Sequence, residues 1–407
     1  VSNDSKTGSF ERMKQHNQST VLNTIRLKEP ISRADIAKLT KLTKPTVSTM
    51  VSELIEKNLI TEEEAANSTV AGGRKPFLLR INYSAYYIIG VYAAAEVVRV
   101  VMSTMDGKIV TDYSKEMTEL PSKDEFMDMI INNIHDVLKR SRIESDLILG
   151  IGFAMHGLVD PDEGVAIFSP HLHLENIPIK ETLEKEFKLP VMVENDVRAL
   201  AIAESWFGQG QDLSDFICLS VGLGIGSGIF IKDEIYKSPF NTGGEIGHTI
   251  IEVNGPKCEC GNHGCLEAYA SEAAIVKKVE SELTNHQDSI LSQWIKDGKN
   301  KLTLKMIFKA AKEGDLFAVS ILEESARSLG LAAANMINIL KPSRLILEGY
   351  IFEQGDFIVS PLKKMIEKYT FKSPHEEINV VCSTLGKTGM VLGAVTLVLH
   401  KLFKTDN

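Results

Sequence analysis

The sequence predicts an α/β protein with a small winged helical head at its N-terminal end. Three observations carry that prediction. From about Tyr87 onward, strand-length apolar runs alternate with helix-length amphipathic stretches, the pattern of a layered α/β body. The segment before it reads as three short helices followed by a basic, Gly-rich turn. Charge divides at the same place. Residues 1–83 hold 13 Lys and Arg against 9 Asp and Glu, a net of +4, whereas the remainder holds 32 against 45, a net of −13. A basic head on an acidic body confines contact with phosphates to the head.

In the head, Ser19 to Lys28 is a short amphipathic helix. After Pro30, Ser32 caps a second helix that runs to Thr40. Thr43 to Lys57 is a third, with Pro45 accommodated in its first turn. Leu59-Ile60, an acidic stretch, the turn Ala71-Gly72-Gly73-Arg74-Lys75-Pro76 and the run Phe77-Leu78-Leu79 follow, two short strands around a loop, as in a β-wing. This is the spacing of a helix-turn-helix, whose recognition helix enters the major groove by its N-terminal end. Lys44, Thr46, Ser48 and Thr49 lie at that end and can donate to phosphates and base edges, while Val47, Val51 and Leu54 face inward. In the wing, Arg74 and Lys75 beside two glycines suit a narrow, electronegative minor groove. Standing alone, the same turn would be an ordinary basic surface loop.

In the body, Ile88 to Tyr92 and Val97 to Ser103 read as paired strands, and Asp124 to Arg140 as a helix with Phe126, Met129, Ile130, Ile134 and Val137 on its apolar face. Leu147 to Ala154, Val191 to Glu194, Phe216 to Val221 and Ile229 to Ile231 are strand candidates. After Glu267 the chain is mostly helical. Two short strands interrupt it, Leu345 to Leu347 after a long helix that ends near Pro342, and Val380 to Cys382 before a final apolar helix from about Lys387 to Phe403.

A length of 407 residues suggests two or three domains, and 43% apolar with 24% charged residues is ordinary globular composition. No run of about 18 apolar residues suggests a membrane span. The polar stretch Val1 to Ser9 lacks the apolar centre of a signal peptide, so a cytoplasmic protein is expected. Five cysteines are too few for a disulfide scaffold in this length. Three of them, Cys258, Cys260 and Cys265, follow His248 closely. Three thiolates and one imidazole form a closed tetrahedral set that suits one structural zinc ion per chain, with no open position for water. His263, on the tight Cys260–Cys265 loop, competes for the same role. Cys218 and Cys382 sit in apolar strand contexts and read as core residues.

The motifs G-G-E-I-G-H (243–248), C-E-C-G-N-H-G-C-L-E (258–267) and V-G-L-G-I-G-S-G-I (221–229) closely resemble the signature of the ROK family of repressors, open reading frames and sugar kinases. The resemblance extends from Ser19 to the final helix. The head with G-G-R-K-P resembles the repressor branch, and N-G-P-K-C-E-C-G resembles its xylose repressors in particular, without fixing the sugar. It implies an actin-like ATPase fold: a winged helix-turn-helix head over residues 1–83, a first α/β lobe over 84–195 completed by 385–407, and a second lobe with the metal loop over 196–384. It implies a sugar held by Gly157, His171, Asn195, Asp196, Glu245, His248 and Glu267, with His248 turning one ring nitrogen to zinc and the other to the sugar. Carboxylates and amides suit adjacent sugar hydroxyls, and Asn195-Asp196 follow an apolar strand, where α/β sheets open onto ligands.

Departures from the kinases are as informative. Where they carry an early D-x-G-G-T phosphate loop, this chain has Tyr92-Ala93-Ala94-Ala95-Glu96. A metal-holding aspartate is replaced by tyrosine, two glycines gain a Cβ that hinders phosphate approach, and a donor becomes an anion. Where the kinases have two glycines near the adenosine stands Glu348-Gly349, and where they commonly have asparagine stand His171 and His173. The second phosphate loop, Gly222 to Gly228, is retained. These residues predict a repressor that binds operator DNA as a homodimer or homotetramer, is released by a sugar, and performs no catalysis. The alternatives are an active sugar kinase with a DNA-binding head, and a repressor controlled by a protein partner.

Overall fold

The computed structural model describes residues 4–64, 77–295, 301–371 and 378–404. They form two compact units, one of residues 1–194 with 394–407 and the other of residues 195–393. Among the described residues, no helix is long and apolar enough to cross a membrane.

In the first unit, helices Asp4–Lys28, Arg33–Thr40 and Lys44–Glu56 bury Val21, Leu22, Ile25, Ile36, Val47, Val51 and Leu54 against one another. Ser32 caps the second helix and Thr43 the third, each side chain accepting from a backbone N–H three residues on, as N-cap residues do. The first helix begins well before Ser19, where the sequence is too polar to show periodicity. Strands Ile60–Glu64 and Phe77–Ile81 pair antiparallel, and Ile31–Ser32 adds a third strand that the sequence reading missed. The turn between 64 and 77, with Arg74 and Lys75, lies outside the described residues.

The head is fastened to the rest of its unit by a partly buried clasp. Glu29 Oε1 accepts from the Tyr83 hydroxyl at 2.7 Å and Oε2 from Ile81 N–H at 2.7 Å. Met105 N–H donates to Tyr83 O and the Tyr86 hydroxyl to Lys57 O. Arg26 lies over the ring of Phe403, 5.7 Å from its centroid, and Phe403 itself is buried. Burial, aided by the Glu29 hydrogen bond, pushes the Tyr83 phenol well up, and burial pushes the Arg26 guanidinium down.

The body of this unit is a five-stranded sheet in the order Val191–Asn195, Ile148–Met155, Tyr87–Ala93, Val97–Thr104, Ile109–Glu116. Tyr87–Ala93 runs parallel to Ile148–Met155 and antiparallel to Val97–Thr104. Helix Lys123–Ser141 opens on a capping box between Ser122 and Glu125 and lays Phe126, Ile130, Ile134 and Val137 on the core. A small sheet of Leu158–Asp160, Val165–Ser169 and Leu174–Ile177 stands beside it.

The second unit has a sheet in the order Glu234–Ile235, Ile225–Ile231, Phe216–Val221, Arg344–Glu348, Asn379–Cys382, the last three mutually parallel. Helices Glu272–Glu282, Leu304–Lys312, Leu316–Leu340 and Asp356–Tyr369 cover it around Leu219, Phe308, Leu322 and Leu347. Cys218 is buried as expected, but Cys382 is exposed. Its strand is the sheet edge, where only alternate residues meet the core. The terminal helix Gly389–Phe403 begins in the second unit and ends in the first.

Candidate functional site

The head presents one polar helix face. Helix Lys44–Glu56 buries Val47, Met50, Val51 and Leu54, so the opposite side turns outward with Lys44, Ser48 and Thr49 exposed. Thr46 is half-buried, and its hydroxyl lies 2.8 Å from that of Thr43; it fixes the cap as much as it faces outward. Thr49 Oγ1 donates to Pro45 O. Lys41, in the left-handed residue that ends the preceding helix, and Ser52, one turn beyond Ser48, are also exposed there. The sequence reading missed both, although the i, i+4 spacing of Ser48 and Ser52 points to the second.

In the second unit, five predicted sugar residues are gathered around the hairpin of Phe216–Val221 and Ile225–Ile231. Asn195 caps helix Asp196–Phe207, its side chain accepting from Val197 and Arg198 N–H. Asp196 is buried in the first turn of that helix, where the helix dipole favours a negative charge. Val197 packs beside Gly226 of the second hairpin strand. Glu267 Oε2 accepts from Ile225 N–H at 3.0 Å. Ser227 N–H and Oγ both donate to Gly244 O, at 3.0 and 2.7 Å. Gly244 has φ +96°, and a Cβ there would lie 2.3 Å from Ser227 O, so only glycine lets the G-G-E-I-G-H loop sit this close. That loop leads into the short turn Ile246–His248, with Glu245 exposed just before it.

The candidate metal cluster follows directly. The ligand atoms of His248, Cys258, Cys260 and Cys265 all lie within 4.8 Å of one another. His248 Nδ1 is 3.7 Å from Cys258 Sγ, and Cys260 Sγ is 3.6 Å from Cys265 Sγ. Bonds of about 2.3 Å at tetrahedral angles put sulfurs about 3.8 Å apart, so the set fits one metal ion. His263 is exposed and faces the Gly255 carbonyl, outside the cluster. Nδ1 of His248 is the ring nitrogen that faces the sulfurs, which leaves Nε2 turned away from the cluster. Burial pushes the Cys258 thiol up. It does the same for Cys265, to about 12, helped by hydrogen bonds with Cys260 and Cys258.

The first unit holds the remaining two. Gly157 follows the strand Ile148–Met155, and His171 sits in the turn Pro170–Leu172. His171 stacks on His156, with centroids 4.7 Å apart and planes at 21°, whereas His173 is exposed at φ +53°. Tyr92 and Ala93 end their strand, and the turn to Glu96 is closed by Ala94 N–H donating to Val97 O at 2.9 Å.

Glu348 ends the strand beside Phe216–Val221. Ser220 Oγ donates to it at 2.6 Å, yet burial pushes its carboxyl up to about 7 from an ordinary 4.5, with Asp196, Glu353 and Glu204 adding like charge. The native state therefore holds a proton that the unfolded chain releases. Stability is full below the unfolded value and falls as pH rises through about 7, by about 3 kcal/mol in total. Denaturant unfolding between about pH 5 and 8 should show that slope, and Glu348→Gln should flatten it. An equal slope in the variant would assign it to other groups.

The chain can now be placed among known proteins. The ROK family pattern matches residues 88–401. This chain belongs to the ROK family. A MarR family pattern matches residues 15–68, so the head is a winged helix-turn-helix of that type. The chain is 30% identical over 395 residues to the xylose repressor of Caldicellulosiruptor bescii, covering 97% of this chain and 98% of that one. It is 31% identical over 393 residues to the transcriptional dual regulator NagC of Escherichia coli, covering 96% and 94%. Among solved structures, it resembles a ROK family transcriptional regulator homologous to E. coli MLC, with a TM-score of 0.85 and 27% identity over 96% and 97% of the two chains. Without the head it resembles a ROK glucokinase from Streptomyces griseus in complex with glucose and AMPPNP, with a TM-score of 0.66 and 27% identity over 76% and 98%. The body thus has the actin-like fold of ROK sugar kinases.

Proposed function

We propose that this ROK protein is a sugar-gated transcription repressor of carbohydrate-utilisation genes. In this reading it binds operator DNA through the head as a homo-oligomer, is released by a sugar, and phosphorylates nothing. The observation that carries it is a sugar-type donor set, built around one hairpin, in a chain whose phosphate loop is Tyr92-Ala93-Ala94-Ala95-Glu96. Glu348 ends its strand and is buried, whereas Glu96 is exposed in the turn between Tyr87–Ala93 and Val97–Thr104. The anionic residue introduced at Glu96 repels a nucleotide phosphate, and Glu348 adds bulk where the kinases have a glycine. Asp196, buried at the start of its helix, then serves as a hydrogen-bond acceptor for a sugar hydroxyl. Zinc is the metal this reading assigns to His248, Cys258, Cys260 and Cys265, because a closed set of three thiolates and an imidazole selects it. Lys44, Thr46, Ser48 and Thr49, with Arg74 and Lys75 of the wing, supply the DNA contacts.

The test is operator affinity with and without sugar. A ligand shifts the DNA-bound population only by its differential affinity for the two states, and a coupling of about 1–3 kcal/mol weakens operator binding roughly 5- to 150-fold. Asp196→Asn should lose that shift while still binding the operator. Transfer of phosphate from ATP to a bound sugar would instead favour a kinase with a DNA-binding head, the reading that the retained Gly222–Gly228 segment suggests.

A further inference from the structure

In the first unit the parallel strands Tyr87–Ala93 and Ile148–Met155 are paired to their last residues, Ala93 opposite Met155. Beyond that point the chain leaves in opposite directions. The turn at 94–96 returns to Val97–Thr104 on one side of the sheet, while His156-Gly157 leads to the small sheet and then to Val191–Asn195 on the other. Diverging connections at strand C-termini open the crevice in which α/β sheets hold ligands. His156 stands at that point, and its N–H donates to Ala93 O at 3.4 Å.

The local backbone brings a second imidazole to it. Gly157 has φ +108°, and a Cβ there would lie 2.3 Å from Phe168 O. This close approach sets strand Val165–Ser169 against the His156-Gly157 turn, and the short helix Pro170–Leu172 then places His171 on His156. Both rings are half-buried. Ser169, directly before that short helix, has a buried hydroxyl with no hydrogen-bond partner, a deficit that folded proteins rarely leave without a reason.

We infer that His156 is a sugar-reading residue, acting with His171 as a stacked imidazole pair at this strand edge; the inference rests on the sugar-gated reading above. Stacked imidazoles differ from stacked phenyl rings at their edges. Each carries two ring nitrogens, donor or acceptor according to tautomer. A neutral imidazole at either position can both donate and accept. Stacked at this distance, the two rings bring up to four ring nitrogens within the span of one sugar ring. Because a hydrogen-bonding site rejects an analogue that leaves its polar groups unpaired, the pair governs which sugar is accepted.

The experiment measures binding of D-xylose, D-glucose and N-acetylglucosamine by calorimetry to the full chain and to His156→Ala, His156→Phe and His156→Gln. Metal content and circular dichroism verify the fold. Alanine and phenylalanine should each weaken the preferred sugar by about tenfold or more, close to 1.4 kcal/mol, and narrow the spread among the three. Glutamine, which keeps an edge donor and acceptor, should recover part of both. Full affinity and selectivity in the phenylalanine variant would reduce the stack to packing and overturn the inference, as would an unchanged alanine variant. An unaltered chain that binds none of the three sugars would overturn both the inference and the function it rests on.

Discussion

Cys258→Ser should strip the metal from the protein and abolish its response to sugar. Elemental analysis should fall from one metal ion per chain to almost none, and sugar affinity should fall by at least about tenfold. The physical reason is local. The segment from His248 to Cys265 has no regular strand or helix of its own beyond the turn Ile246–His248, only the isolated bridges Ile250–Cys265 and Lys257–His263. Four side chains bound to one ion are what would close it. His248 stands at one end of that loop, and Glu267 stands two residues beyond Cys265, its carboxylate held on Ile225 N–H. Freeing the loop lets both donors wander. Structural zinc contributes about 10–16 kcal/mol of apparent binding free energy in small fingers; here a separate core remains, so the unit should stay folded and lose its ligand geometry. Burial raises the Cys258 and Cys265 thiols, so loading must displace protons and should weaken as pH falls, measurable by chelator competition. A metal-free wild-type protein, or a variant that keeps its sugar response, would sink this account.

Much of this was legible in the sequence because the information is local. The candidate metal cluster spans 18 positions from His248 to Cys265, and its spacing alone suggested it. The two recognition-domain helices were readable from Ser32, Thr43 and Pro45, since caps act within one turn. Strand Phe216–Val221 was readable because it is buried along its whole length, and a central parallel strand shows as an unbroken apolar run. The missed elements lack such signals. Ile109–Glu116 is an edge strand with polar residues on both faces, and Leu158–Asp160, Val165–Ser169 and Leu174–Ile177 are too short to show alternation. Cys382 misled because its neighbours are apolar while its own position on an edge strand faces outward. The stacking of His156 on His171 was passed over because the two lie fifteen positions apart, and the close approach at Gly157 joins them. The pairing of Glu267 with Ile225 and of Glu348 with Ser220 likewise connects distant segments, which periodicity does not reveal.

Replacing Phe403 by leucine should uncouple sugar binding from DNA release while leaving both binding events in place. Helix Gly389–Phe403 starts among residues of the second unit and ends among those of the first, and a helix transmits displacement along its axis because its backbone hydrogen bonds resist bending. Its last residue lies under Arg26 of the head, and Arg26 is one turn from Glu29, which holds Ile81 and Tyr83. A sugar that displaces this helix would therefore be felt at Arg26 and Glu29 of the head. Coupling of this kind needs an element that both sites bias, and the terminal helix has residues in both units. Leucine keeps Phe403's site apolar and filled, so the cost to stability should stay at or below about 1.5 kcal/mol, but it removes the ring face that Arg26 covers. Sugar affinity, and operator affinity without sugar, should each change by less than about threefold. The ratio of operator affinities with and without sugar should fall from tens toward one, where the coupling free energy vanishes. Arg26→Gln should act alike from the other side of the contact while also removing a charge beside Glu29 and Tyr83, and the loss of coupling in the double variant should be less than the sum of the two. A release ratio that survives in all three proteins would mean that the signal reaches the head by another route.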